Sequence, residues 1–142
     1  MKTCVSFEDL LRINRPQVDY MQKIGEAIAD PNSVDACEIF TKQVRIVEGL
    51  LIQTYGIAAE FSKRAADLQE IADIWSSMAM FCNVVLQTLS LLKDKFPYCG
   101  APQLYDMALD YKLECDKRFR GVLEEVSCQR VEIPKGILPE LS

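Results

Sequence analysis

The chain reads as an all-α protein: an antiparallel bundle of three long helices plus one medium and one short N-terminal helix, with an extended C-terminal tail. Three observations predict this. First, Leu68, Ile71, Trp75, Met78, Cys82, Val85, Leu89, Leu92 and Phe96 recur at alternating steps of three and four. That spacing lines up one stripe of a helix and packs it against other helices. Second, the spacing returns in Cys37, Phe40, Val44, Val47, Leu51, Thr54, Ala58, Phe61 and in Leu104, Met107, Ala108, Tyr111, Cys115, Phe119, Val122, Val126. Third, strand signals are absent outside the tail, and no internal repeat divides the chain.

Ser6-Phe7-Glu8-Asp9 starts a first helix, with Ser6 as N-cap and acids in the first turn. Asn14-Arg15-Pro16 is expected to interrupt it. A second helix is then expected from Pro16 to about Ala29, with Val18, Met21, Ile24 and Ile28 inward, because proline suits a first turn. Asp30-Pro31-Asn32-Ser33 forms a turn, and Ser33 caps a third helix from Val34 to Arg64. Ile39, Ile46, Leu50 and Ile57 add a second stripe to that helix, widening its apolar face to roughly half the circumference. Gly49 and Gly56 fall inside it, each costing about 1 kcal/mol against alanine, which close packing or a bend would explain.

Asp67-Leu68-Gln69-Glu70 has the form of a capping box, which places a tight turn at Arg64 to Ala66. Without that turn, one helix from residue 34 to 96 would span about 95 Å, too long for a compact domain. The fourth helix is Leu68 to Phe96. The loop Pro97-Tyr98-Cys99-Gly100-Ala101-Pro102 follows, and the fifth helix runs from Pro102 or Gln103 to about Cys128. Pro134, Gly136 and Pro139 are expected to keep residues 130–142 out of helix. The apolar residues there, Val131, Ile133, Ile137, Leu138 and Leu141, should lay the tail along a groove of the bundle or of a partner.

Composition bounds function more than it reveals it. The 142 residues suit a single domain over 1–142 that buries about two thirds of its unfolded surface. Apolar residues make up 49% and charged residues 26%, which argues against disorder. The mean hydropathy of +0.02 is high for so small a chain and suggests an oligomer interface. A net charge of −5 opposes nucleic-acid binding, which needs a basic field. The one dense basic run, Lys117, Arg118 and Arg120, is flanked by Asp116, Glu124 and Glu125 and reads as a solvated face. No stretch of about 18 uninterrupted apolar residues is present, so no membrane partner is expected. The first residues lack the apolar core of a secretory signal, and a cytoplasmic setting is expected.

The catalytic inventory is thin. There is no histidine, which removes histidine acid–base chemistry, triads and imidazole metal ligands together. No glycine-rich phosphate loop occurs. Asp106, Asp110 and Glu114 share a helix face, and Glu70 with Asp73 starts another, but both sets lie off the apolar stripes and read as solvated faces. The six cysteines, Cys4, Cys37, Cys82, Cys99, Cys115 and Cys128, contain no closely spaced pair of the kind zinc or iron–sulfur sites use. Cys37, Cys82 and Cys115 sit on core stripes and read as small buried hydrophobes; Cys99, Cys4 and Cys128 are the thiols placed to react. No catalytic residue, metal site or cofactor is expected.

Two functional readings follow. The leading one is a non-enzymatic helical interaction protein (adaptor, small chaperone or regulatory subunit) that pairs with a protein partner, most simply as a homodimer. Opposite the core stripe of the fourth helix stand Met80, Val84 and Leu91, sharing a face with Asp73, Ser77 and Gln87. Leu109 and Leu113 stand outside the main stripe of the fifth. A helix apolar on both sides is either central or half of an interface. The alternative is a small-molecule-binding bundle, where Thr54, Ala58 and the nearby glycines thin the third helix opposite Trp75 and leave a pocket. An acid-only metal-dependent hydrolase is a weaker third reading.

Overall fold

The computed structural model describes residues 6–92, 94–97 and 99–137, with side chains described as far as Cys128. These residues form four helices and no strand: α1 (Phe7–Ala27), α2 (Val34–Arg64), α3 (Leu68–Leu92) and α4 (Ala101–Ile137). The chain is all-α, with one helix fewer than its prolines suggested.

The difference lies at Pro16. Helix α1 runs straight through it, so the short first helix and the medium second helix are one. Proline leaves the carbonyl four residues back without its helical partner, but Pro16 and Arg12 are exposed and water can serve that carbonyl. What holds the helix together is its buried face. Phe7, Leu11, Val18, Met21 and Gly25 are buried, and with the half-buried Asn14 they keep a four-three rhythm across the proline. At its start the Ser6 hydroxyl accepts the Asp9 N–H at 3.1 Å.

Helix α2 occupies the expected span. The Ser33 hydroxyl accepts the Ala36 N–H at 3.1 Å, and Lys63 and Arg64 stand in the last turn, where the helix dipole favours cations. The tight turn after it is held reciprocally: Asp67 accepts the Glu70 N–H at 2.9 Å, and the Glu70 carboxylate accepts the Ala66 N–H at 2.8 Å. Helix α3 stops at Leu92, short of the expected Phe96, although the Phe96 N–H still donates to the Leu92 carbonyl at 3.0 Å. Gly100, at φ +82°, supplies the left-handed residue before α4, and its carbonyl accepts the Leu104 N–H at 2.9 Å.

Helix α4 also corrects the reading of the tail. Residues 130–137 continue the helix through Pro134 and Gly136 to Ile137 instead of turning extended. An internal proline costs a helix about 3 kcal/mol, a penalty that opposes helix without forbidding it. Leu138 and Leu141 lie outside the described residues, as does Cys4.

Helix α3 is the hub. It packs on α1, α2 and α4, while α1 and α4 make no contact among the described residues. Helices consecutive in the chain run antiparallel, whereas α1 and α3 run parallel, with Phe7 near Ile74 at their starts and Gly25 against Leu92 at their ends. Phe7 meets Phe61 at 6.1 Å and Gln43 donates to the Gln17 carbonyl at 2.9 Å, which fixes α1 against α2. Tyr55 meets Trp75 at 5.6 Å, and Phe40 stacks on Phe96 at 4.0 Å, which fixes α2 against α3 and its exit. Trp75, Met78, Leu89, Phe40, Leu51 and Leu104 are fully enclosed. Each contributes about 1.5–3 kcal/mol of burial.

Candidate functional site

The outer face of α3 stands out by its chemistry. Between Ile74 and Leu92 the helix contains no charged residue, although only part of it is enclosed. Solvated helix faces usually carry charge; that of α1 carries Asp9 with Arg12 at 2.8 Å and Arg15 with Asp19 at 3.4 Å. Met80 is 68% exposed and Leu91 67%, far from what a core residue shows. Val84 is half-buried and lines a groove of about 400 Å³ between α3 and α1, with Leu11, Arg12, Arg15, Met80 and Phe81.

The five residues read as a partner surface therefore divide in space. Met80 and Val84 border the groove with α1, and Leu91 lies farther along α3. Leu109 and Leu113 are exposed on α4, the helix that α1 does not touch. By length and composition α3 is also the described helix that could cross a membrane, and half of its apolar window is buried inside the molecule. Serine, asparagine, glutamine and threonine interrupt its apolar run, yet no charge does.

A second apolar seam was visible only in part. Ile39 and Ile46 belong to the second stripe of α2, and both are exposed. Ile13 and Tyr20 of α1 are exposed as well. With Gln17 bonded to Gln43 in an antiparallel pair, Ile13 lies level with Ile46 and Tyr20 with Ile39. Pro16 hid this from sequence reasoning by splitting α1 in two.

The residues proposed to line a ligand pocket come together in the closed core. Thr54, Ala58 and Trp75 are all buried. The Thr54 hydroxyl donates to the Leu50 carbonyl at 2.7 Å, a satisfied role inside its own helix. Tyr55 leans on the Trp75 ring, Tyr111 packs on Tyr55 at 4.6 Å, and the Arg118 guanidinium lies 4.9 Å over the Trp75 centroid. Burial pushes the Tyr55 hydroxyl above its ordinary range, and Arg118 opposes that shift. Gly49 and Gly56 face open space, so close helix approach is not why they are there.

Three members of the acidic sets are engaged locally. Glu70 caps α3, Asp73 accepts from Gln69 at 3.0 Å, and Glu114 pairs with Arg118 at 3.0 Å. Among the described residues no three metal-ligating side chains gather to hold an ion.

The cysteines are the feature that spacing concealed. Cys82 of α3 and Cys115 of α4, both fully buried, belong to one core where α3 packs on α4. The Cys115 thiol, with burial, pushes the Cys82 thiol far above its ordinary range. Cys99, read as a loop thiol, is only 3% exposed. It lines one groove with the half-buried Cys37 of α2, and burial first, then the Cys37 thiol, raises its pKa.

Compared with protein-family models, characterised proteins and solved structures, the chain has no significant match, so its function must be argued from this geometry alone.

Proposed function

We propose that this protein is a non-enzymatic helical interaction protein, an adaptor, small chaperone or regulatory subunit, that self-associates through the outer face of α3. The observation that carries the reading is the exposure of Met80 and Leu91 on a face without charge from Ile74 to Leu92. Ser77, Met80, Val84, Gln87 and Leu91 follow the three-four spacing of a coiled-coil seam. A two-fold, antiparallel pairing of α3 with a second copy, centred between Val84 and Gln87, sets Met80 of each copy against Leu91 of the other. The same pairing carries Asp94, just past the end of α3, toward the Arg12–Arg15 rim of the other copy's groove. Burying two thioether or leucine side chains per copy in this way contributes about 1.5–3 kcal/mol for each.

Light scattering over a range of concentrations under reducing conditions tests this. The expected mass is twice that of the chain. The double variant Met80→Glu, Leu91→Glu should scatter as a monomer and melt as cooperatively as the parent, because both positions are exposed. A parent that is monomeric throughout would overturn the reading, as would a double variant that remains dimeric. Parent protein that floats with phosphatidylcholine vesicles instead of dimerising would assign the uncharged face to lipid and overturn it equally.

A further inference from the structure

We propose that Cys37 and Cys99 form a redox pair that closes to a disulfide when the protein meets a small-molecule disulfide, bolting the α3–α4 connection to the start of α2. The two thiols are distant in sequence and belong to different segments, yet the fold brings them to one place: Cys99 lines one hollow with Cys37 and another with Thr41. Thr41, one turn along α2, stands 3.9 Å from the Cys37 sulfur. Both cysteines line one surface groove of about 520 Å³, with Val34, Phe96 and Pro97 among its other walls. Cys37 is half-buried at this groove, so a reagent can reach it, whereas Cys99 lies behind it.

The order of events follows from that access. The Cys37 thiolate attacks one sulfur of the reagent R–S–S–R, forming Cys37–S–S–R and releasing one thiol R–SH once the leaving thiolate is protonated. Cys99 then loses its proton and attacks the Cys37 sulfur, breaking the bond to the second R–S group, which leaves as R–SH. Two protein thiols are oxidised and one small disulfide is reduced to two thiols. An excess of R–SH reverses the exchange.

The Cys82–Cys115 pair is the internal control. Its thiols also come from two packed helices and share one core, but both are 0% exposed. Proximity is common to the two pairs and access is not, so the Cys37–Cys99 pair alone should respond in the folded protein.

The connection that the bond would secure carries Phe96, whose ring stacks on Phe40. A cross-link closing a loop of this length constrains the unfolded chain strongly and should raise Tm by roughly 5–10 °C.

The experiment uses the full chain with Cys4→Ser and Cys128→Ser, incubated with oxidised glutathione, then alkylated and mapped by mass spectrometry. The expected result is a linked Cys37–Cys99 peptide, lost on adding Cys37→Ser or Cys99→Ser and reversed by reduced glutathione, with Cys82 and Cys115 alkylated only after denaturation. Glutathione attached to Cys37 without conversion to the linked peptide would overturn the proposal, because the two sulfurs would then be unable to bridge. Both pairs oxidising at the same rate would overturn it too, because the protein would be reacting from an unfolded state. Since Cys37→Ser could disturb packing, circular dichroism of that variant should match the parent before the loss is scored.

Discussion

Helix α3 carries the same periodicity on two faces, and the two have opposite fates. Trp75, Met78, Cys82, Val85, Leu89 and Leu92 step by three and four and are buried. Ser77, Met80, Val84, Gln87 and Leu91 step by three and four and are largely open, Ser77 and Val84 being the half-buried members. Spacing therefore states that a face is able to pack, and says nothing of whether its own chain covers it. Composition separates the two: the inner stripe is continuously apolar, while the outer one alternates large apolar residues with serine and glutamine.

The sharpest way to break that comparison uses two leucines two positions apart. Leu89 is fully enclosed and Leu91 is 67% exposed. Leu89→Ala should cost about 2–5 kcal/mol, the transfer term plus the cavity left between α3 and its neighbours. Leu91→Ala, measured in a Met80→Glu background so that association does not contribute, should stay within about 0.5 kcal/mol. Chemical denaturation of the two variants decides it. Equal losses would mean that the outer stripe is core after all, covered by a part of the chain outside the described residues.

What was legible in the sequence and what was not follows the same division. Helix α2 could be read end to end because its signals are local: a serine cap, an unbroken stripe, and basic residues before the Asp67 turn. The α1 error came from ranking one proline above a stripe that continues on both sides of it. The missed end of α4 has the same origin at Pro134. Met80, Val84 and Leu91 could be named because a face is a local property; which neighbour covers it is not. The two thiol pairs were illegible for a stronger reason. Each joins separate segments through contacts that depend on how α2, α3 and α4 pack, and no periodicity encodes that.

Glycines sharpen the contrast between covered and open faces. A methyl group at Gly25 would lie 2.8 Å and 2.9 Å from the two terminal carbons of Leu92 and 3.2 Å from the Phe40 ring. Leu92 and Phe40 are both enclosed, so neither can yield freely. The Gly25 carbonyl also accepts from the Lys95 ammonium at 2.8 Å, which ties the end of α1 to the α3–α4 connection. Gly25→Ala should destabilise by about 1–3 kcal/mol through overpacking. At Gly49 and Gly56 the added methyl meets nothing within 4 Å. There Gly49→Ala and Gly56→Ala should each stabilise by up to about 1 kcal/mol, as helix propensity alone requires. The three melting curves would report opposite signs from one chemical change. A loss at Gly49 or Gly56 would show that this side of α2 is covered in solution.

The smallest effect belongs to the charged face of α1, which shows what a solvated face contributes when no partner covers it. Asp9 is partly exposed, and its carboxyl is held below the ordinary range, first by the Ser6 side chain, then by the Ser6 N–H and by Arg12. Burial works against this and is outweighed. A carboxyl with a lowered folded pKa stabilises the protein when ionised. The contribution is therefore complete above the unfolded value near 3.8 and is lost as pH falls through the lower folded value. Asp9→Asn should lower Tm slightly at neutral pH, and the two melting temperatures should converge as the solution is acidified below that window. Ser6→Ala should narrow the gap at neutral pH, because it removes the main group that favours the ionised form. A gap that persisted at low pH would mean that Asp9 acts through hydrogen-bond geometry and not charge. A gap unaffected by Ser6→Ala would shift the interaction to Arg12, whose pairing added salt should screen.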